Sequence, residues 1–127
     1  KEELTITPEI MLEQDFYVAE VGKEIAGFYS ILENKSEYYV GALLHPEGLW
    51  LENMFIHPRW IGKGIGHQCM THLLNYCKVN NIIQFCFYAD PHAIGFYERY
   101  GAELLGHYPS TIPGRLLPLY KIELNKN

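Results

Sequence analysis

Cysteine is scarce in this sequence, and its spacing excludes two common uses. Cys69, Cys77 and Cys86 are odd in number and contain no Cys-x-x-Cys pair, so we expect neither a disulfide framework nor a zinc site. Their neighbours are apolar, which predicts small buried hydrophobic residues. The six histidines also lack metal-ligand spacing, since His67 and His72, five residues apart, would lie on different faces of a helix. We therefore expect no metal.

Long hydrophobic runs and an excess of basic residues are also missing. No apolar segment approaches the roughly 20 residues of a membrane span, and no charged-then-apolar leader precedes a cleavage site. Ten Lys and Arg residues stand against fifteen Asp and Glu, a formal net charge of −5. This balance argues against binding to nucleic acid or to an anionic membrane. We expect a cytoplasmic protein with no nucleic-acid or membrane partner.

The apolar content of the sequence is sufficient for one core. The 127 residues have the length of one domain, and 48% of them are hydrophobic. These values predict a single domain over residues 1–127. The chain begins at Lys1 rather than Met, which suggests that an N-terminal portion has been trimmed.

Periodicity and turn residues predict an alternation of strands and helices. Thr7 and Pro8 have the pattern of a helix start and predict a short helix over 7–14. Gly22-Lys23 predicts a tight hairpin turn, and His45-Pro46-Glu47-Gly48 predicts another turn. Asp90-Pro91 predicts the start of a helix, and Gly101 predicts its left-handed C-cap. The remaining predicted elements are strands over 16–21, 24–32, 38–44, 49–56, 82–88, 103–108 and 118–124, and helices over 64–79 and 91–100. This order predicts an α+β fold with a mixed sheet.

Three glycines, Gly62, Gly64 and Gly66, lie between a predicted strand and a predicted helix. Such a turn leaves backbone N–H groups at the positive end of the helix dipole, and the missing Cβ atoms let a phosphate come close. A Walker loop would need Gly-Lys-Ser/Thr, which Gly66-His67-Gln68 does not supply. A dinucleotide fingerprint would need its third glycine one residue later. The remaining readings are another kind of anion site and a turn that uses glycine only for its shape.

Two segments resemble a known family. Residues 56–66 (IHPRWIGKGIG) resemble the cofactor-binding motif of the GNAT superfamily of N-acetyltransferases, and so does the later segment over 90–101 (DPHAIGFYERYG). The similarity extends over roughly residues 16–124. It implies a mixed, mostly antiparallel central sheet with a splayed parallel strand pair and flanking helices, and acetyl-CoA as acyl donor. The family's first strand and first helix have no clear counterpart in this sequence.

The resemblance also implies which residues hold acetyl-CoA. The Gly-rich turn would bind the pyrophosphate, and strand 49–56, splayed from strand 82–88, would bind the pantetheine arm and thioester carbonyl through its backbone. The implied cofactor-binding residues are Met54, Phe55, Ile56, Ile61, Gly62, Lys63, Gly64, Ile65, Gly66, His67 and Asp90. Two of them depart from the family pattern. Ile61 stands where Arg or Gln is usual, and Asp90 stands where Asn is usual; an ionised Asp can cap a helix but cannot donate a hydrogen bond.

Two residues are candidates for proton transfer. Tyr97 matches the tyrosine that serves as general acid in many family members, and its alternative role is packing on the sheet. Glu52 is the candidate base because a carboxylate that shares a strand face with Trp50 should have a raised pKa. Its alternative is an acceptor-binding or structural carboxylate. Cys86 lies in a buried strand pattern, so we expect direct attack in a ternary complex without an acyl-enzyme.

The acceptor site is the least defined part. Tyr38 and Tyr39 are candidates to line it, and Arg115 is a candidate partner for an acceptor carboxylate or phosphate, with a solvated loop residue as its alternative. We expect an acetyl-CoA-dependent N-acetyltransferase acting on the primary amine of a small molecule. A protein or peptide N-acetyltransferase and a non-catalytic acyl-CoA-binding module remain alternatives. Family habit also makes a homodimer plausible.

Overall fold

A computed structural model describes residues 4–11, 14–109 and 116–124 of the chain. Within those ranges it has strands β1 (Leu4–Met11), β2 (Gln14–Val21), β3 (Glu24–Asn34), β4 (Tyr38–Val40), β5 (Leu43–His45), β6 (Gly48–Ile56), β7 (Gln84–Tyr88), β8 (Glu103–Pro109) and β9 (Leu116–Glu123). Its helices are α1 (Ile65–Val79) and α2 (Ile94–Glu98), each preceded by a short 3-10 turn, at Pro58–Trp60 and Pro91–Ala93.

Seven of these strands form one mixed sheet in the order β1-β2-β3-β6-β7-β9-β8. The pairs β1–β2, β2–β3, β7–β9 and β8–β9 are antiparallel. Strands β6 and β7 are parallel, with Leu49 opposite Phe85 and Trp50 opposite Cys86. A parallel pair needs a crossover connection, which α1 provides here. The predicted α+β fold with a mixed, mostly antiparallel sheet is confirmed.

By its internal contacts the chain divides into two compact units. The first unit takes the described residues of 1–32 and 51–81, which include β1, β2 and α1. Helix α1 buries one stripe at helical spacing because apolar residues recur every three or four positions. That stripe consists of Ile65, Cys69, Met70, Leu73 and Cys77. The predicted burial of Cys69 and Cys77 is confirmed, and burial raises the pKa of each thiol to about 11.

The second unit takes the described residues of 33–50 and 82–127, which include the β4–β5 hairpin, β7, α2, β8 and β9. Strand β7 is buried at Phe85, Cys86 and Phe87, as a continuous apolar run predicts for a strand covered on both faces. Cys86 packs with Trp50 and Leu119 in a small core cluster. The predicted burial of Cys86 is therefore also confirmed.

Predicted turns and helix ends agree with the structure, because their conformation depends on residues adjacent in the sequence. The turn between β2 and β3 is Gly22-Lys23, and Gly22 has a positive φ of 64°. Gly101 ends the segment after α2 with a φ of 84°, the left-handed conformation expected of it. None of the helices in the described parts of the chain is long and apolar enough to cross a membrane.

The helix predicted over 7–14 is wrong. Residues 4–11 instead form β1, which pairs antiparallel with β2 from Leu4 opposite Val21 to Met11 opposite Gln14. Strand β1 is at the edge of the sheet, where a proline such as Pro8 is tolerated within a strand. Pairing with β2 overrides the local pattern of a helix start, and residues 12 and 13 of the prediction lie outside the described residues.

Other predicted elements differ from the structure in kind or in extent. The single strand expected over 38–44 is a hairpin of two short strands, β4 and β5, because Gly41 adopts a positive φ of 63° and reverses the chain. The strand expected from residue 82 begins at Gln84, after Asn81 with its positive φ of 59°. The helix expected over 91–100 is a 3-10 turn followed by the five residues of α2.

An aromatic group that includes one histidine packs α1 against β2 and β3 in the first unit. The Tyr29 hydroxyl and His72 Nδ1 share a hydrogen bond of 2.5 Å, and the Tyr17 ring lies 5.0 Å from both the Tyr29 and the His72 rings. Burial lowers the pKa of His72 from its ordinary value of 6.5, because the charged imidazolium loses hydration there. The neutral imidazole is thus the form that the folded unit favours.

Acidification should destabilise the fold through His72. Since its folded pKa lies below 6.5, the unfolded chain takes up the proton first. The stability that depends on a neutral His72 is therefore complete above pH 6.5 and is lost as the pH falls below it. We expect the urea midpoint to fall more in the wild type than in His72→Gln between about pH 7.5 and about pH 5.

Tyr29→Phe is the matched control for this measurement. It removes the hydroxyl but leaves the imidazole buried, so the wild-type pH dependence should persist. Equal pH dependence in the wild type and His72→Gln would show that His72 does not carry the effect.

Candidate active site

The turn before α1 is built from two left-handed glycines. Gly62 has a φ of 82° and Gly64 a φ of 84°, a region that costs an L-residue roughly 1–2 kcal/mol. A Cβ atom at either position would meet no protein atom within 4 Å. The glycines are therefore required by backbone conformation and not by crowding. The space above them is open to a ligand.

This turn presents backbone donors at the start of a 15-residue helix. The first bond of the helical ladder runs from the Gln68 N–H to the Gly64 carbonyl at 3.0 Å. The N–H groups of Ile65 and Gly66 come before that bond in the helix. The N-cap residue Gly64 has no side chain that could accept a hydrogen bond from them. The positive end of the helix dipole lies at the same place. The geometry is that of an anion site.

The segment before the turn is tied to β3. The His57 N–H donates to the Ala26 carbonyl at 2.8 Å, and its Nδ1 accepts from the Arg59 N–H at 3.1 Å. The Arg59 guanidinium forms an ion pair with Glu24 and lies 5.9 Å from the centre of the Trp60 ring. These contacts hold the 3-10 turn, and with it the start of the glycine turn, against the sheet of the first unit.

Ile61, one of the two departures from the family pattern, has 65% of its surface exposed. An apolar side chain at this position supplies no hydrogen-bond donor. Its own N–H donates to the Pro58 carbonyl at 3.3 Å, and the Lys63 N–H donates to the Trp60 carbonyl at 3.3 Å. The other donors of the turn are backbone N–H groups from Gly62 onward and the ammonium group of Lys63.

The end of β6 lies in the same unit as the turn. Met54 and Ile56 are half-buried, while Phe55 is 46% exposed and its ring lies 5.5 Å from Phe28. A Cβ atom at Gly27 would come within 2.5 Å of the Phe55 carbonyl oxygen, so only glycine permits this approach of β3 and β6. The Phe55 backbone is therefore held close to β3.

For Glu52, the sequence predicted a raised pKa on the strand face that it shares with apolar residues. It alternates along β6 with Leu51 and Asn53, and its side chain shares a strand face with Met54 and Ile56. Although the residue is exposed, partial burial of its carboxyl raises its pKa above the ordinary value of 4.5. The predicted raised pKa is confirmed in direction, and a carboxylate of this kind accepts protons at higher pH than an ordinary one.

Tyr97 lies on α2 in the second unit and is 8% exposed. Its ring is 4.4 Å from that of Phe87 and 5.2 Å from that of Phe96. Asp90 caps the preceding 3-10 turn by accepting a hydrogen bond from the His92 N–H at 2.8 Å, as predicted for an Asp before a proline. The ring packing that was the alternative role of Tyr97 is present. The general-acid hypothesis concerns its hydroxyl.

Tyr38 lies on β4, is 50% exposed, and stacks on His45 at 4.7 Å; Tyr39 is 64% exposed. Arg115 lies outside the described residues. In the described part of the chain no group of three or more His, Cys, Asp and Glu side chains could hold a metal ion.

One group of side chains was not anticipated from the sequence. Around His45 stand Trp50, Tyr88 and Tyr108, at ring distances of 5.5, 5.7 and 6.1 Å. His45 was assigned only to a turn with Pro46. Tyr88 lies 43 positions after His45, and Tyr108 lies further along the chain, so no local pattern could have revealed the group.

The fold and the glycine turn together define an acyltransferase class. The family model of the acetyltransferase (GNAT) domain matches residues 13–101, which is more than half of the chain. The chain belongs to the GNAT acetyltransferase family, and it is an enzyme of the N-acetyltransferase class. A search of curated protein sequences finds no match.

Solved structures show the same fold at low sequence identity. A Bacillus subtilis acetyltransferase in complex with CoA is 16% identical with a TM-score of 0.74, over 96% of this chain and 99% of that one. Arabidopsis thaliana Naa50 in complex with the bisubstrate analogue CoA-Ac-MVNAL is 17% identical with a TM-score of 0.68, over 86% and 72%. A provisionally named streptothricin acetyltransferase from Bacillus anthracis, in complex with acetyl coenzyme A, is 13% identical with a TM-score of 0.70, over 97% and 86%.

Proposed function

We propose that this chain is an acetyl-CoA-dependent N-acetyltransferase that moves an acetyl group to the primary amine of a small molecule by direct attack in a ternary complex. The observation that carries the proposal is the open left-handed turn at Gly62 and Gly64 that leads into α1. Family membership supports the reaction class. The net charge of −5 favours a cationic acceptor, since an amine carries a proton at neutral pH.

The residues present fit acetyl-CoA at the glycine turn. Backbone amides at a helix start suit a pyrophosphate, and a Cβ at Gly62 or Gly64 would enter the space that the phosphates need. The cofactor-binding residues of the proposal are the backbone of Met54, Phe55 and Ile56 and the segment 61–67. Asp90 contributes by shaping the turn before α2, because its carboxylate already accepts the His92 N–H.

When bound, acetyl-CoA would supply an acetyl thioester, whose carbon–sulfur bond is replaced by the carbon–nitrogen bond of the product. A protonated amine loses two protons in this exchange, of which one reaches sulfur and the other is released to solvent. Glu52 takes the proton from the amine, through water, because its raised pKa makes it a better base than an ordinary carboxylate. Tyr97 holds the proton destined for sulfur on its hydroxyl. The backbone N–H groups of β6 orient the thioester carbonyl.

Replacing Gly64 by alanine should abolish most of the CoA affinity. The new Cβ strains a φ of 84° and enters the phosphate space, so we expect the dissociation constant to rise at least about tenfold in calorimetry. Gly66→Ala is the matched control, because its position is helical and alanine is the better helix former. Unchanged CoA binding in a folded Gly64→Ala protein would disprove the phosphate assignment.

Tyr97→Phe should lower turnover without weakening the complex with acetyl-CoA. Loss of the hydroxyl removes the proton donor, which we expect to cost about tenfold or more in kcat, while the buried ring keeps its packing on Phe87. Thiol release and calorimetry measure the two quantities separately. Wild-type turnover in the variant would remove Tyr97 from the mechanism.

Glu52 should set the acidic limb of the pH–rate profile. The wild-type kcat/KM should fall as the pH drops through the raised pKa, because the protonated carboxyl cannot accept the amine proton. In Glu52→Gln that limb should be absent and the rate lower at every pH. A limb that persists unchanged in Glu52→Gln would assign the titration to another group. Adding Asn53→Asp to the Glu52→Gln variant places a carboxylate on the opposite strand face, and it should not restore the rate.

A further inference from the structure

A cavity of about 410 Å³ lies in the second unit, and none of the residues assigned to acetyl-CoA lines it. Its walls are the β4–β5 hairpin on one side and β8 on the other. The lining residues are Val40, Gly41, Ala42, Leu43, His107 and Tyr108. The volume is within the usual range of small-molecule sites. An enzyme with two substrates needs a second binding site, and these residues belong to no other assignment.

The hairpin wall is fixed by polar contacts beneath it. The Asn34 side chain donates to the Pro46 carbonyl at 2.9 Å, and the Trp50 indole N–H donates to the same carbonyl at 2.9 Å. His45, 4% exposed, lies at the end of β5 with its Nε2 hydrogen-bonded to the Tyr88 hydroxyl. The buried imidazole therefore has a partner, and it anchors the strand that carries Leu43.

The β8 wall approaches the hairpin closely. A Cβ atom at Gly106 would lie 2.7 Å from Leu43 Cδ1, so the glycine allows the two walls to meet on one side of the cavity. Tyr108 continues from the cavity into the aromatic group, where its ring is 6.1 Å from those of His45 and Tyr88. The cavity is thus bounded by an aromatic surface that is already packed.

The side chains that line the cavity indicate which kind of ligand it would bind. The side chains are aliphatic at Val40, Ala42 and Leu43 and flat and unsaturated at His107 and Tyr108, with neither an acidic residue nor Lys or Arg among them. A carboxylate or phosphate would find no cationic partner there. A ring would find apolar contacts and aromatic faces at which it can stack. An amine acceptor with a ring would bury the ring and keep its amino group outside the cavity, where it can react.

We propose that this cavity binds the aryl group of an arylalkylamine acceptor. The assignment of the occupant as acceptor rests on the proposed N-acetyltransferase function, whereas binding of the ring can be measured independently. Val40, Leu43 and Tyr108 would then be specificity residues.

The test compares 2-phenylethylamine with ethylamine, which share the ammonium group and differ by the ring. Both are titrated into the full chain while backbone amide signals are followed by NMR. We expect 2-phenylethylamine to shift the amides of Gly41, Ala42 and Gly106 and to bind at least about tenfold more tightly than ethylamine. Equal affinities, or shifts confined to other residues, would overturn the proposal.

Val40→Trp fills the cavity and should weaken 2-phenylethylamine binding at least about tenfold. Val79→Trp, the same change at a valine on α1 that is 70% exposed, should leave it unchanged. If Val40→Trp fails to fold, Ala42→Phe at the exposed hairpin turn serves the same purpose. Wild-type affinity in a folded cavity-filling variant would contradict the assignment.

Thiol release from acetyl-CoA separates this proposal from the proposed function. Ring binding at Gly41 and Gly106 without thiol release for any small amine would keep the aryl site and overturn the proposed transfer to a small-molecule amine. Equal kcat/KM for the two amines, without shifts at the cavity, would keep the enzyme and overturn the aryl site. A higher kcat/KM for 2-phenylethylamine that Val40→Trp abolishes, with KM for acetyl-CoA unchanged, would support both.

Discussion

The left-handed backbone at Gly62 and Gly64 is the constraint on which the candidate site depends. It reverses the chain between the 3-10 turn and α1 so that the first helical amides precede any ladder bond and have open space before them. The contacts of His57 and Arg59 with β3 fix where the turn begins. The proposed anion site uses backbone N–H groups, so an isoleucine at position 61 is compatible with it.

The proposed binding of the cofactor and the proposed binding of the acceptor depend on different physical causes. At the glycine turn, the proposed preference for an anion comes from oriented peptide dipoles. For the acceptor, the described residues offer an apolar cavity and an acidic overall charge, which favour a ring and an ammonium group together. Glu52 has its pKa raised by desolvation, so its basicity comes from its surroundings and not from a charged neighbour.

Predictions from local patterns succeeded where a residue's role depends on its sequence neighbours. Asp90 before Pro91 marked a cap, and Gly101 marked a left-handed end. The pattern at Thr7 and Pro8 failed because pairing with β2 outweighs a local preference for a helix start. The hairpin at Gly41 was missed because a strand and a short hairpin of similar apolar content cannot be told apart by periodicity.

The sequence by itself determined the mixed α+β fold, the glycine turn before α1, the burial of the three cysteines and the family, because all of these depend on periodicity and on motifs that are contiguous in the chain. Only the tertiary structure decided that His45 anchors an aromatic group and that residues 40–43 face residues 107 and 108 across a cavity. The desolvation of Glu52 and His72 also belongs to the tertiary structure. Each of these features joins residues far apart in sequence, and strand pairing brings them together without a local signal.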